Sequence, residues 1–106
     1  MTLIVYPGAI IKFPSNASLL VNGKLDAVGC NFTSQSGTSP GTWGSIQLNG
    51  SGASGSSIKY ANIQYGTEVD VLNANNVTIQ NCSIVNSSQK AIYFYGGTGS
   101  QANNNK

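Results

Sequence analysis

Three triplets, Ile46-Gln47-Leu48, Val69-Asp70-Val71 and Ile92-Tyr93-Phe94, repeat an apolar–polar–apolar pattern, with first members at positions 46, 69 and 92, a step of 23 each time. A second series runs in step with them. Ile58-Lys59-Tyr60-Ala61-Asn62-Ile63 is followed by Ile79-Gln80-Asn81-Cys82-Ser83-Ile84, a step of 21 from position 58 to 79, so small Ala61 falls on small Cys82 and Ile63 on Ile84. Ala27, Cys30 and Phe32 precede Ile58, Ala61 and Ile63 by a common step of 31. A Gly/Ser/Thr/Pro loop at 34–44 accounts for the longer step. Short strands that recur at a period of roughly 20–50 residues mark a solenoid, in which each coil buries its apolar side against the next.

The local chemistry agrees. Apolar residues come in alternating runs of three to five with β-branched and aromatic character, such as Ile10-Ile11-Lys12-Phe13 and Val77-Thr78-Ile79, broken by Gly, Asn and Ser. That pattern predicts strands. No window of eleven residues carries a stripe at helical spacing. A small antiparallel sandwich also has short strands and Gly-rich turns. It would not require small residues to fall on small ones, and neither Asn22-Gly23 nor Asn49-Gly50 sits centrally between strands of matched length. The sequence therefore predicts an all-β chain, a right-handed three-faced parallel β-helix of about four coils, each of roughly 21–23 residues. The β-helix domain spans 1–96, and 97–106 reads as a polar, flexible tail.

In that register Leu19, Ile46, Val69 and Ile92 form one interior column, and Val21, Leu48, Val71 and Phe94 a second. Leu20, Gln47, Asp70 and Tyr93 form the outward column between them. Asn49, Asn73, Asn75, Asn76, Asn81 and Asn86 are expected at corners, where Asn tolerates left-handed backbone.

The string Pro7-Gly8-Ala9-Ile10-Ile11-Lys12-Phe13, followed by Leu20-Val21-Asn22-Gly23-Lys24-Leu25-Asp26-Ala27-Val28-Gly29, resembles right-handed parallel β-helix repeats of the pectin-lyase-like superfold. Phe32-Thr33-Ser34, Gly41-Thr42-Trp43-Gly44-Ser45-Ile46 and Ile58-Lys59-Tyr60-Ala61-Asn62-Ile63 continue the resemblance, which covers about residues 3 to 96. It implies a secreted or cell-surface protein of bacterial type, and it is far more specific for fold than for activity. Members that hydrolyse polysaccharides cluster Asp residues on neighbouring coils. The lyases pair acidic Ca²⁺ ligands with a basic catalyst.

Composition narrows the chemistry. Only 8% of residues are charged, with no His and no Arg among 106. The usual neutral-pH general base and the usual bidentate clamp for carboxylate or phosphate are both missing. Lys12, Lys24, Lys59, Lys90, Lys106, Asp26, Glu68 and Asp70 are the charged side chains on hand. A net charge of +2, scattered along the chain, gives no footprint for nucleic acid. No apolar run approaches the ~20 residues of a membrane span, so membrane insertion is not expected. The opening Met1-Thr2-Leu3-Ile4-Val5 has no basic flank and is too short for a signal peptide.

Glu68 and Asp70 flank Val69 on one strand, both expected outward and ~7 Å apart. Paired carboxylates can serve an inverting glycosidase or hold Ca²⁺. The register supplies no third acid, so neither a cofactor nor a metal is assigned. Trp43, Tyr60, Tyr65, Tyr93 and Tyr95 are the aromatic side chains that could supply a platform for a sugar ring. Tyr93, beside Gln47 and Asp70, is the best candidate, with Glu68 completing a carbohydrate-binding site. Trp43 is expected to cover the interior where the long loop returns. Cys30 and Cys82 sit two coils apart, about 10 Å, beyond disulfide reach, and are expected as buried free thiols.

Both ends of such a stack are raw sheet edges, which recruit other strands. Either the chain continues a longer solenoid, or its ends meet other copies and build a filament. The sequence favours a non-catalytic structural or adhesive module, secreted or at the cell surface, that self-associates through its coil ends. A carbohydrate-binding or polysaccharide-degrading domain is the alternative.

Overall fold

The alternating runs become strands that return to the same face every third element. In a computed structural model, which describes residues 2–35, 37–89, 91–103 and 105, the strands are β1 (Thr2–Val5), β2 (Ile10–Phe13), β3 (Leu19–Val21), β4 (Lys24–Val28), β5 (Asn31–Ser34), β6 (Ile46–Asn49), β7 (Ser57–Lys59), β8 (Asn62–Gln64), β9 (Val69–Leu72), β10 (Thr78–Gln80), β11 (Ser83–Val85), β12 (Ile92–Tyr95) and β13 (Gln101–Asn103). Lys90 and Lys106 lie outside the described residues, as do Met1, Ser36 and Asn104. Three parallel sheets form, in the orders β1-β4-β7-β10-β13, β2-β5-β8-β11 and β3-β6-β9-β12. The chain is a three-faced parallel β-solenoid of about four turns.

The ladder register is the one the repeats predict. Leu19 pairs with Ile46, Ile46 with Val69 and Val69 with Ile92; the same ladder aligns Val21, Leu48, Val71 and Phe94. Phe32, Ile63 and Ile84 align on the second sheet. Ile46, Leu48, Val69, Ile58 and Ile79 are fully buried, with Ala27, Cys30, Ala61 and Cys82 filling the narrower positions. Cys30 and Cys82 are both buried free thiols. The Cys82 Sγ lies 3.4 Å from the Ile58 and Gln80 carbonyl oxygens. Burial raises both thiols above their ordinary pKa.

Corners repeat as strictly as strands. Gly8, Gly29, Tyr60 and Asn81 occupy one corner in successive coils, and all four have positive φ. Gly50, Asn73 and Gly96 share a second left-handed corner; Gly55, Asn76 and Gly99 share a third. Of the six predicted corner Asn residues, Asn73, Asn76, Asn81 and Asn86 adopt the left-handed region, joined by Asn16. Two tyrosines, Tyr60 (φ 54°) and Tyr65 (φ 65°), do so as well. That conformation puts Cβ close to the following carbonyl and costs about 1–2 kcal/mol for such a residue. On the faces, Asn62 Nδ2 donates to Asn31 Oδ1 at 2.9 Å.

The long step divides between two corners. Ile10 pairs with Asn31, a step of 21 in position; Leu19 pairs with Ile46, a step of 27; Asp26 pairs with Ser57, a step of 31. The 34–44 loop therefore supplies six additional residues, not ten. The other four enter after β6, where a 3-10 turn at Ser51–Ala53 seats buried Ala53 under the corner. Small polar residues conceal this second insertion, since 50–57 reads as loop without a landmark.

Trp43 is where the returning loop meets the core. Ser34 stands in register with Phe13 but is too small to fill that corner. Trp43, 1% exposed, fills it instead, stacked on Phe13 with ring centroids 4.2 Å apart and 13° between planes. Its indole N–H donates to the Gln64 carbonyl at 2.7 Å. Gly66 must be glycine here, because a Cβ would lie 2.8 Å from Trp43 Cζ2.

The segment 97–106, where the sequence suggests a loose tail, carries β13. Thr78, Ile79 and Gln80 pair with Gln101, Ala102 and Asn103. Asn105 completes the turn. Its Oδ1 accepts from the Cys82 N–H at 3.0 Å, and its Nδ2 donates to the Ile79 carbonyl at 2.9 Å.

Candidate functional site

The outer face of the third sheet brings the sequence candidates together. Gln47, Asp70 and Tyr93 pair successively on β6, β9 and β12, with Leu20 before them on β3. Glu68 lies two residues before Asp70, just ahead of β9. The three other acid and base candidates on strands of the first sheet, Lys24, Asp26 and Lys59, are on a different face, where Asp26 accepts from Ser57 Oγ at 3.2 Å. Lys12 belongs to the second sheet. No group of three or more His, Cys, Asp or Glu able to hold a metal occurs among the described residues.

Asp70 departs from the solvated strand face that alternation suggests. It points outward by register, yet it is only 7% exposed. Oδ2 receives a long 3.5 Å hydrogen bond from Gln47 Nε2. Oδ1 is buried without a hydrogen-bond partner among the described residues. Burial, then the adjacent Glu68 carboxyl through hydrogen bonding and like charge, pushes Asp70 up to about 6, while the Gln47 amide pulls the other way. A proton on Asp70 relieves both the desolvation and the repulsion. The carboxyl can thus give up or take a proton near pH 6, or accept a hydrogen bond at Oδ1. Around it on this face Gln47, Glu68 and Tyr93 are half-buried and Leu20 is exposed.

Next to Tyr93, two residues along β12, Tyr95 is 59% exposed, and the two rings lie nearly parallel at 6.4 Å and 22°. The one sequence signal for this pairing is the i, i+2 spacing of the two tyrosines on a strand. Tyr60 and Tyr65 lie at other corners, and Trp43 is internal.

A second feature is not visible in the sequence. Leu3, Leu19, Leu20, Val21, Asn22, Gly23 and Lys24 line a mainly apolar groove of about 220 Å³ at the first coil. It opens where the third sheet turns into the first. Leu3 and Leu20 are 44% and 55% exposed there. No protein-family model, curated protein or solved structure matches this chain.

Proposed function

We propose that the chain is a structural β-solenoid module of the pectin-lyase-like, secreted or cell-surface type, and that its terminal coils stack on other coils to extend the axis. The observation that carries this reading is the continuation of the interior columns to both ends. Leu3, Ile11 and Leu19 stand at the open end of their columns in the first coil; Ile84, Ile92 and Phe94 do so in the fourth. Parallel ladders leave backbone donors and acceptors at each terminal strand, and such edges pair with further strands. The secreted or surface assignment is supported by the resemblance of the corner and strand strings and by the low charge.

Light scattering over a concentration series with negative-stain microscopy tests this. Rods that lengthen with concentration and disappear in Leu3→Lys are expected. A monomer at every concentration, in the full chain and in a chain ending at Gly96 alike, would refute the stacking.

A second reading is favoured by the paired rings of Tyr93 and Tyr95 beside Gln47, Glu68 and Asp70. Two near-parallel aromatic faces suit the C–H surface of consecutive sugar units, with the amide and carboxyl groups meeting hydroxyls. On this reading glycan-array binding is lost in Tyr93→Ala and in Tyr95→Ala. Binding that survives both substitutions removes this face as the site.

A further inference from the structure

The two ends are complementary, and one strand stands between them. Resting on the stacking proposed above, we infer that β13 is a displaceable plug. It occupies the ladder position that β1 of a second copy takes when the copies join head to tail.

The register gives the argument. Among the described residues the first sheet has five strands and the other two have four, so the fifth layer carries a strand on the first face alone. Carried through the ladders, Gln101 is equivalent to Ile4, Ser100 to Leu3 and Ala102 to Val5. An incoming first coil would set Leu3 over Val77 and Val5 over Ile79, where β13 now offers Ser100 and Ala102. Its β2 would set Ile11 over Ile84, and its β3 would set Leu19 over Ile92 and Val21 over Phe94. The columns through Leu3, Val5, Ile11, Leu19 and Val21 are then apolar on both sides. The same register brings Tyr95 opposite Asn22, so Phe94 and Tyr95, 39% and 59% exposed, meet Val21 and Asn22, two residues that line the first-coil groove.

β13 itself buries little apolar surface. All three of its residues are exposed, and its interior residue is an Ala. It is held by polar contacts alone. The Gln101 N–H donates to the Val77 carbonyl at 2.8 Å, and the Asn103 carbonyl accepts from the Asn81 N–H at 3.0 Å. Ser100 Oγ accepts from the Val77 N–H at 3.1 Å, the Thr98 backbone bonds Asn75 and Asn76, and Asn105 adds its two bonds. β1 and β13 cannot both occupy the edge of β10. Joining therefore requires β13 to leave, and the contact is heterologous, repeating without closure.

The experiment compares four chains by light scattering and microscopy, each checked for fold by circular dichroism. They are the full chain, a chain ending at Gly96, Gln101→Pro, and a Thr78→Cys/Gln101→Cys chain oxidised to clamp β13. The cysteines replace a directly paired couple, within disulfide reach. The expected result is a critical concentration at least tenfold lower for the shortened chain and for Gln101→Pro than for the full chain. The clamped chain stays monomeric until reduced. Gln101→Pro decides the matter if the shortened chain does not fold, because proline removes the ladder donor while keeping the rest. Equal assembly of all four would overturn the plug and leave the stacking standing. No assembly by any of them would overturn both. Leu19→Lys in the shortened chain must abolish rods, or the joining face is not the one described.

Discussion

The middle coils and the terminal coils use the same columns to opposite effect. Ile46 and Val69 are completely buried, while Leu19 and Ile92, at either end of that column, are only partly covered. In the neighbouring column Leu48 is 0% exposed and Phe94 39%. Each coil of a solenoid is stabilised by contact with its neighbours alone. A terminal coil has half the partners, so identical chemistry gives less stability there and a surface that can be joined. Position along the axis, more than residue type, decides what an apolar side chain does in this protein.

Substitutions can break or sharpen that contrast. Trp43→Ala should be the most damaging, because it opens a cavity against Phe13 and leaves the Gln64 carbonyl without its donor. A loss of about 3–5 kcal/mol is expected in urea unfolding. Leu48→Ala should cost about 3 kcal/mol and Phe94→Ala about 1, although Phe is the larger side chain. Equal costs would show that the last coil is packed as tightly as the middle ones.

Asp70 tests the contrast on the outer face, where a mid-sheet position buries a polar group. Its folded pKa, about 6, lies above the ordinary carboxyl value. The stability linked to its proton is complete below about pH 4 and is lost as pH rises through 6. Asp70→Asn should therefore raise stability at pH 7.5 by roughly 1–2 kcal/mol, change little at pH 4, and flatten the melting temperature between them. A variant less stable at pH 7.5 would mean that the charged form is satisfied in solution. The smallest effect is expected at the Tyr60 corner, occupied by Gly29 below and Asn81 above. Tyr60→Asn should gain about 0.5–1 kcal/mol by relieving the left-handed backbone. No gain in thermal unfolding would indicate that the exposed tyrosine ring makes up the difference.

The strands and their register were legible because an interior shared by all coils forces apolar residues into step, and step is visible in one dimension. Ile46, Val69 and Ile92 could be aligned without knowing any contact. The burial of Asp70 could not, since alternation places it outward and says nothing of how the side chains around it lie. Tyr60 and Tyr65 were hidden for a different reason: tyrosine is no turn former, and only alignment to Gly29, Asn81 and Asn86 reveals the bend they adopt. β13 lacks apolar alternation in Gln101-Ala102-Asn103. Its signal was the spacing of Ala102 from Ile79, equal to the interval that separates the clearest triplets.

The second coil carries ten residues more than the third between equivalent strands, yet every ladder beyond it remains in step. Length at a corner is thus uncoupled from pitch along the axis. The molecule behaves as a ruled staff, with tick marks about 4.8 Å apart, on which flags of different size can be hung. The exposed tip between Thr38 and Ser39 is such a hanging point. A foreign peptide spliced there would be displayed at a fixed height, and one spliced at the same corner of the next coil would sit a single tick away.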